Sequence, residues 1–179
     1  MVERHLGTIV PTLTFRGVTT ADIDQLAASV ADAFVAYRSF APEDWRPPSA
    51  RAQAESLARW IADRDFWGEV SFHGATLVGH ATFIPAARHT FRPEPDASCA
   101  HLGHLFVTPH YWGSGAAKLL VAHACEAASA RGFTSMRLFV PEGQRRARHF
   151  YEREGFSPVG EAFAFGLGLA TLEYRRRLP

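Results

Sequence analysis

The sequence predicts an α/β fold, and three observations carry that prediction. Short alternating or apolar segments that suit strands are interleaved with longer ones whose apolar residues recur at three- and four-residue steps. Two of the strand-like segments flank His73-Gly74, which reads as a hairpin turn. A third runs straight into a glycine-rich turn and then into a helix, between residues 102 and 120. With 179 residues, 47% of them apolar, the chain can bury one core, and it shows no internal repeat and no linker that would divide it.

Residues 12–17 alternate and close on Gly17, as a first strand does. Thr19 or Thr20 then caps a helix whose apolar positions Ile23, Leu26, Val30, Phe34 and Tyr37 keep helical spacing. Three prolines within residues 41–48 prevent its continuation. A second helix over 49–63 sets Leu57, Trp60 and Ile61 on one side. Residues 69–72 and 76–84 form the hairpin, and the proline-containing segment 85–98 is a loop. A strand over 101–107 leads through the glycine turn to a helix over 115–131, stopped by Gly132. A strand over 135–140, a short helix over 144–154 ended by Gly155, and a last strand over 167–178 complete the order.

Charge and cysteine content narrow the partners. A formal net charge of +1 gives no bulk attraction for nucleic acid or an anionic membrane. Two cysteines, Cys99 and Cys125, are too few for a disulfide framework and fit a reducing compartment. Residues 1–11 lack the apolar core of a signal peptide and read as an extension ahead of the domain, and no apolar run is long enough to cross a membrane. The expectation is a cytoplasmic protein, monomer or homodimer, without nucleic-acid or membrane partners.

Gly113-Ser114-Gly115 sits where a strand meets a helix. That order aims backbone N–H groups and the positive end of a helix dipole at one point outside a sheet, which suits a phosphate. The tripeptide alone suits equally well a connection that merely needs positive φ. A nucleoside-triphosphate loop would require Lys-Ser/Thr after the second glycine, where this chain has Ala116-Ala117-Lys118-Leu119. A dinucleotide fingerprint would require an acidic residue ending the next strand, and that strand ends at Val140 without one. Neither nucleotide motif fits.

Three segments in order, Leu105-Phe-Val-Thr-Pro109, Trp112-Gly-Ser-Gly-Ala-Ala117 and Phe150-Tyr-Glu-Arg-Glu-Gly-Phe156, resemble the GNAT superfamily of acyl-CoA-dependent N-acyltransferases. The likeness is strong from about His101 to Phe156 and loose in the N-terminal half. It implies a central mixed, largely antiparallel sheet of about six to seven strands flanked by about four helices, splayed at the strand 101–107, with 1–179 as a single domain. It implies acetyl-CoA as cosubstrate, no metal, and transfer of the acetyl group by direct attack in a ternary complex to a primary amine of a small molecule or peptide. The coenzyme's pyrophosphate would then lie on Trp112, Gly113, Ser114, Gly115, Ala116 and Ala117, and its pantetheine arm along Leu105, Phe106 and Val107. Gln144 stands where the family often has Asn, and Trp112 where Arg or Gln is usual, so Trp112 keeps only a backbone role or an altered side-chain one.

For the chemistry, the resemblance makes Tyr151 the proton donor to the leaving sulfur. His101 is the candidate base, in a strand where members carry Glu or His, with a water relay as the alternative. Simple alternation puts His104 on the opposite strand face. Direct transfer is favoured over a covalent route, since Cys125 falls in an alanine-rich helix and Cys99 has no base near it in sequence. Arg145, Arg146, Arg148, Arg153 and Lys118 either meet the coenzyme's ribose phosphate or form a solvated face, while Arg175, Arg176 and Arg177 are expected to face solvent. Glu43, Asp44 and Trp45 lie in a loop that borders the acceptor cleft in the family. A catalytically silent acyl-CoA-binding module is the rival function, kept in view by Trp112 and by the absence of a strand Glu.

Overall fold

The computed structural model describes residues 12–179, so the extension expected over residues 1–11 lies outside the described residues. Seven strands form one sheet in the order β1-β2-β3-β4-β5-β7-β6. These are β1 Thr14–Gly17, β2 Trp67–His73, β3 Thr76–Pro85, β4 Cys99–Val107, β5 Ser135–Pro141, β6 Ser157–Phe165 and β7 Leu169–Arg177. Four α-helices accompany them: α1 Ile23–Ala33, α2 Ala50–Ile61, α3 Ala116–Ala130 and α4 Arg145–Arg153. Among the described residues, no helix is long and apolar enough to cross a membrane.

Every strand pair is antiparallel except β4 and β5, which run parallel. Their pairing lasts only from Cys99↔Ser135 to Leu102↔Leu138, whereas β4 stays paired with β3 as far as Val107. The two central strands therefore part after Leu102, and a cleft opens where the ladder stops. The expected splay in the strand 101–107 is present. A second irregularity lies on the other side of β4: Thr82 pairs with His104 and Phe83 with Leu102, leaving Gly103 bulged out of the ladder.

The sheet buries both faces. Leu120, Val121, Ala124 and Ala128 of α3 pack with Ala81, Phe83, Leu102, Met136 and Leu138, together with Tyr151 from α4. Leu26 of α1 and Leu57 of α2 close over Val70 and Leu77. Helix boundaries follow local chemistry. The Ser49 hydroxyl accepts from the Ala52 N–H at 3.2 Å and caps α2, and Gly132 and Gly155 take φ of 85° and 82° where α3 and α4 end.

Two elements differ from the sequence expectation. The first helix ends at Ala33 and tightens into a 3-10 segment, Phe34–Ser39. At three residues per turn Phe34 and Tyr37 eclipse one another, and both rings line the cleft. The expected single last strand is a hairpin of β6 and β7. β6 escaped detection because it is a mostly exposed edge strand holding Pro158 and Gly160, with its register broken between Val159 and Phe163.

Candidate active site

The cleft between the parted strands has a volume of about 1640 Å³ and is lined by residues from α1 to the β6–β7 turn. At one end stands the glycine turn. Gly113 and Gly115 have φ of 86° and 88°, a conformation that costs an L side chain about 1–2 kcal/mol. A Cβ at either would meet no atom within 4 Å, so the space above the turn is open. The Ser114 hydroxyl accepts from the Ala116 N–H at 3.3 Å. Among the described residues, no acceptor meets the N–H groups of Gly115, Ala117 and Lys118. They form, with the dipole of α3, a cradle for an anion.

Trp112 has acquired a structural role in place of a cationic one. Its indole N–H donates to the Val107 carbonyl at 2.8 Å, tying the turn to the end of β4. The Arg146 guanidinium lies 4.0 Å from the centre of the same ring, so α4 brings a cation to the turn that the signature position lacks. Arg148 behaves differently: it donates to the Tyr174 hydroxyl at 3.1 Å and the Glu142 carbonyl at 3.0 Å, and is a structural residue.

Leu105, Phe106 and Val107 line the cleft beyond the last β4–β5 pair, so their edge toward β5 has no strand partner. Tyr151 projects from α4 into the same space and is 9% exposed. Burial, reinforced by the nearby Tyr37, holds its phenol above the usual range, so it keeps its proton at neutral pH. Burial likewise pushes Tyr37 up to about 12, moderated by a hydrogen bond from the Gln144 amide. Gln144 precedes α4 without using its side chain to cap it, which leaves that amide in the cleft.

His104 does not lie on the opposite face of β4 from His101. The Gly103 bulge adds one residue between them and turns both imidazoles to the same face, where both meet Trp60. Ring centroids are 5.9 Å apart for His101 and 5.4 Å for the near-parallel His104. Burial lowers His101 well below the usual histidine range, and neighbouring His89, Arg137 and His104 lower it further. Burial alone takes His104 down to about 4. Both are neutral at pH 7, and the Nδ1 of each is buried without a hydrogen-bond partner among the described residues.

A sequence model of the acetyltransferase (GNAT) family matches residues 30–156. The chain belongs to this family. A mycothiol acetyltransferase of Beutenbergia cavernae is 34% identical over 73 residues, 41% of this chain and only 25% of that protein's length. Two solved structures share the GNAT fold. A putative acetyltransferase from Desulfovibrio desulfuricans superposes with a TM-score of 0.70 at 21% identity, covering 94% of this chain and 100% of that one. The PaiA N-acetyltransferase of Thermoplasma acidophilum, in complex with coenzyme A, gives 0.69 at 18% identity over 93% and 99%.

Within this GNAT chain, several side chains stand elsewhere than expected. Glu43, Asp44 and Trp45 do not line the cleft; the Trp45 indole donates to the Leu167 carbonyl at 2.8 Å and stacks on Tyr37. Arg175 does not simply face solvent, being paired with Glu94 and with Glu173. Cys99 and Cys125 are buried in the core with thiols raised by burial, which suits neither for nucleophilic attack. The sequence reading missed Tyr37 and Trp60 as cleft residues, treating both as helix core, and missed His89 entirely. No periodicity marks them, because each reaches the cleft through the tertiary fold. Among the described residues, no cluster of three or more His, Cys, Asp or Glu is arranged to hold a metal.

Proposed function

We propose that this chain transfers the acetyl group of acetyl-CoA to a primary amine of a small molecule or peptide, by direct attack in a ternary complex. One observation carries the reading: the N–H cradle of α3, the unpaired edge of β4 and the Tyr151 phenol all open into one cleft. The cradle at residues 113–117 takes the pyrophosphate, assisted by Arg146. The edge of Leu105, Phe106 and Val107 pairs with the amide-bearing pantetheine arm as an added strand would, and Gln144 offers its amide to the same arm.

Attack of the amine nitrogen on the thioester carbonyl forms the C–N bond. The backbone around Phe106 and Val107 stabilises the developing oxyanion, and collapse breaks the C–S bond. The sulfur leaves with a proton from Tyr151, and the proton lost by nitrogen passes to His101 or to a water relay. An imidazole kept neutral by burial is free to accept it. Two buried, unbridged cysteines accord with a cytoplasmic enzyme.

Thiol release from acetyl-CoA across a panel of amines tests the reading. Replacing a general acid typically removes about 10²–10⁴-fold of rate. Tyr151→Phe should therefore lower kcat by at least about 10²-fold with acetyl-CoA affinity nearly unchanged. Equal turnover removes Tyr151 from the mechanism, and tight coenzyme A binding with no release for any amine would leave a silent binding module instead.

A further inference from the structure

The cleft continues past the β4 edge into a region between α2, β5 and the β6–β7 turn that the coenzyme contacts proposed above leave unused. Six flat rings from five parts of the chain line it: Trp60 of α2, His89 of the β3–β4 loop, His101 and His104 of β4, Phe139 of β5, and Phe165 of β6. They form a continuous set. His89 and His101 are 4.3 Å apart, His101 and Phe139 4.7 Å, Phe139 and Phe165 5.0 Å, and Trp60 stacks on His104 at 5.4 Å. We propose that this aromatic region receives the ring of an arylamine, a primary amine carried directly on an aromatic ring, as the acetyl acceptor. The proposal rests on the acyl-transfer reading above and names the substrate class of the same site.

The ring faces offer what an aromatic substrate needs, since offset and edge-to-face contacts add to simple burial. The three imidazoles add no charge to this surface, because each is buried and uncharged at neutral pH, and their ring faces join the aromatic set. Charge at this end is wrong for a cationic acceptor. The carboxylate on its α2 side, Asp63, is occupied by Arg88 at 2.5 Å, and Arg59 on the same helix lines the cleft with no carboxylate partner among the described residues. Glu43 and Asp44, the loop carboxylates that would attract an ammonium, lie outside it. Around the ring set a polyamine or a lysine side chain would meet Arg59, aromatic surface and an already paired Asp63; the cleft's other lining carboxylate, Glu154, lies at the C-terminal end of α4.

The proton inventory agrees with this class. An alkylammonium of pKa about 10 must lose a proton before it can attack. The nitrogen of an arylamine is already uncharged at pH 7 and attacks as it arrives. It becomes strongly acidic only once the C–N bond has formed, and a weakly basic imidazole such as His101 is then a sufficient acceptor.

The test is steady-state thiol release with saturating acetyl-CoA at neutral pH, comparing 4-methoxyaniline with spermidine and Nα-acetyl-lysine. The expected kcat/KM for 4-methoxyaniline is at least tenfold above either aliphatic amine. Phe165→Leu, on an edge strand, should raise KM for 4-methoxyaniline about tenfold while the dissociation constant of acetyl-CoA stays unchanged. Equal or better turnover of spermidine or acetyl-lysine overturns the acceptor class and leaves acyl transfer standing. No thiol release from any of the three, with acetyl-CoA bound, overturns acyl transfer and this proposal with it. A Phe165→Leu protein whose acetyl-CoA affinity falls in parallel with its amine affinity also overturns the assignment, since Phe165 would then act on the whole cleft.

Discussion

Gly103→Ala tests whether the β4 bulge is what aligns the acceptor side of the cleft. Gly103 does not have positive φ, so backbone strain does not enter. The conflict is steric: a Cβ there would lie 1.7, 2.2 and 2.8 Å from three atoms of the Trp60 ring. Carbon atoms in contact sit about 3.5–4.0 Å apart, so the indole must retreat by about 2 Å. Overpacking of this kind costs about 1–3 kcal/mol, and loss of the stack on His104 adds about 0.5–1.5 kcal/mol. At about 2–4 °C per kcal/mol for a chain of this size, the melting temperature should fall by roughly 3–18 °C. A double-mutant cycle isolates the cause. In a Trp60→Leu background the clashing ring is gone, and Gly103→Ala should cost at least about 1 kcal/mol less than in the parent. Equal cost in both backgrounds, or no cost in the parent, would refute the claim that Gly103 exists to admit Trp60.

Other consequences follow from the same geometry. Trp112→Phe keeps a ring for Arg146 but loses the N–H bond to Val107, so it should cost about 0.5–1.5 kcal/mol of stability and weaken coenzyme A binding severalfold by calorimetry; unchanged affinity would mean the turn needs no tether. Stability should also fall on acidification. The unfolded chain protonates histidine near 6.5, whereas burial holds His80 down to about 3 and His89 and His104 to about 4. Between those limits the unfolded state binds more protons, and each histidine contributes a slope of about 1.4 kcal/mol per pH unit that favours the folded state as pH rises. Melting temperatures that stay level from pH 7 to pH 5 would show that these imidazoles are hydrated in the folded protein.

The two halves of the candidate site were unequally legible in the sequence, and their construction explains why. The coenzyme side is built almost wholly from one local run. Residues 105–117 carry strand, turn and helix start, and the two positive-φ glycines announce themselves because few other residues tolerate that conformation. Such a segment can be read without knowing what it packs against. The same locality made the helices readable, down to the stop at Gly132. β6 was unreadable for the opposite reason, since its strand character comes from β7 alone and its own residues include Pro158 and Gly160.

The proposed acceptor side has no local signature. Trp60, His89, His101, Phe139 and Phe165 are separated in sequence by an intervening strand, loop or helix, and only the sheet order brings them together. One residue decides much of the outcome. Strict alternation from His101 puts His104 on the far face, and only the extra residue at Gly103 restores it to the near one. A bulge leaves no mark in hydrophobic periodicity, but the glycine is a physical clue: any side chain there would overlap the Trp60 ring. The strand, turn and helix start of the proposed coenzyme cradle are thus encoded in contiguous sequence, while the proposed acceptor surface depends on a steric fit between one glycine and one tryptophan. Substitutions at Gly103 or Trp60 should therefore change amine selectivity before they change coenzyme binding, and steady-state KM values for the two substrates would separate those effects.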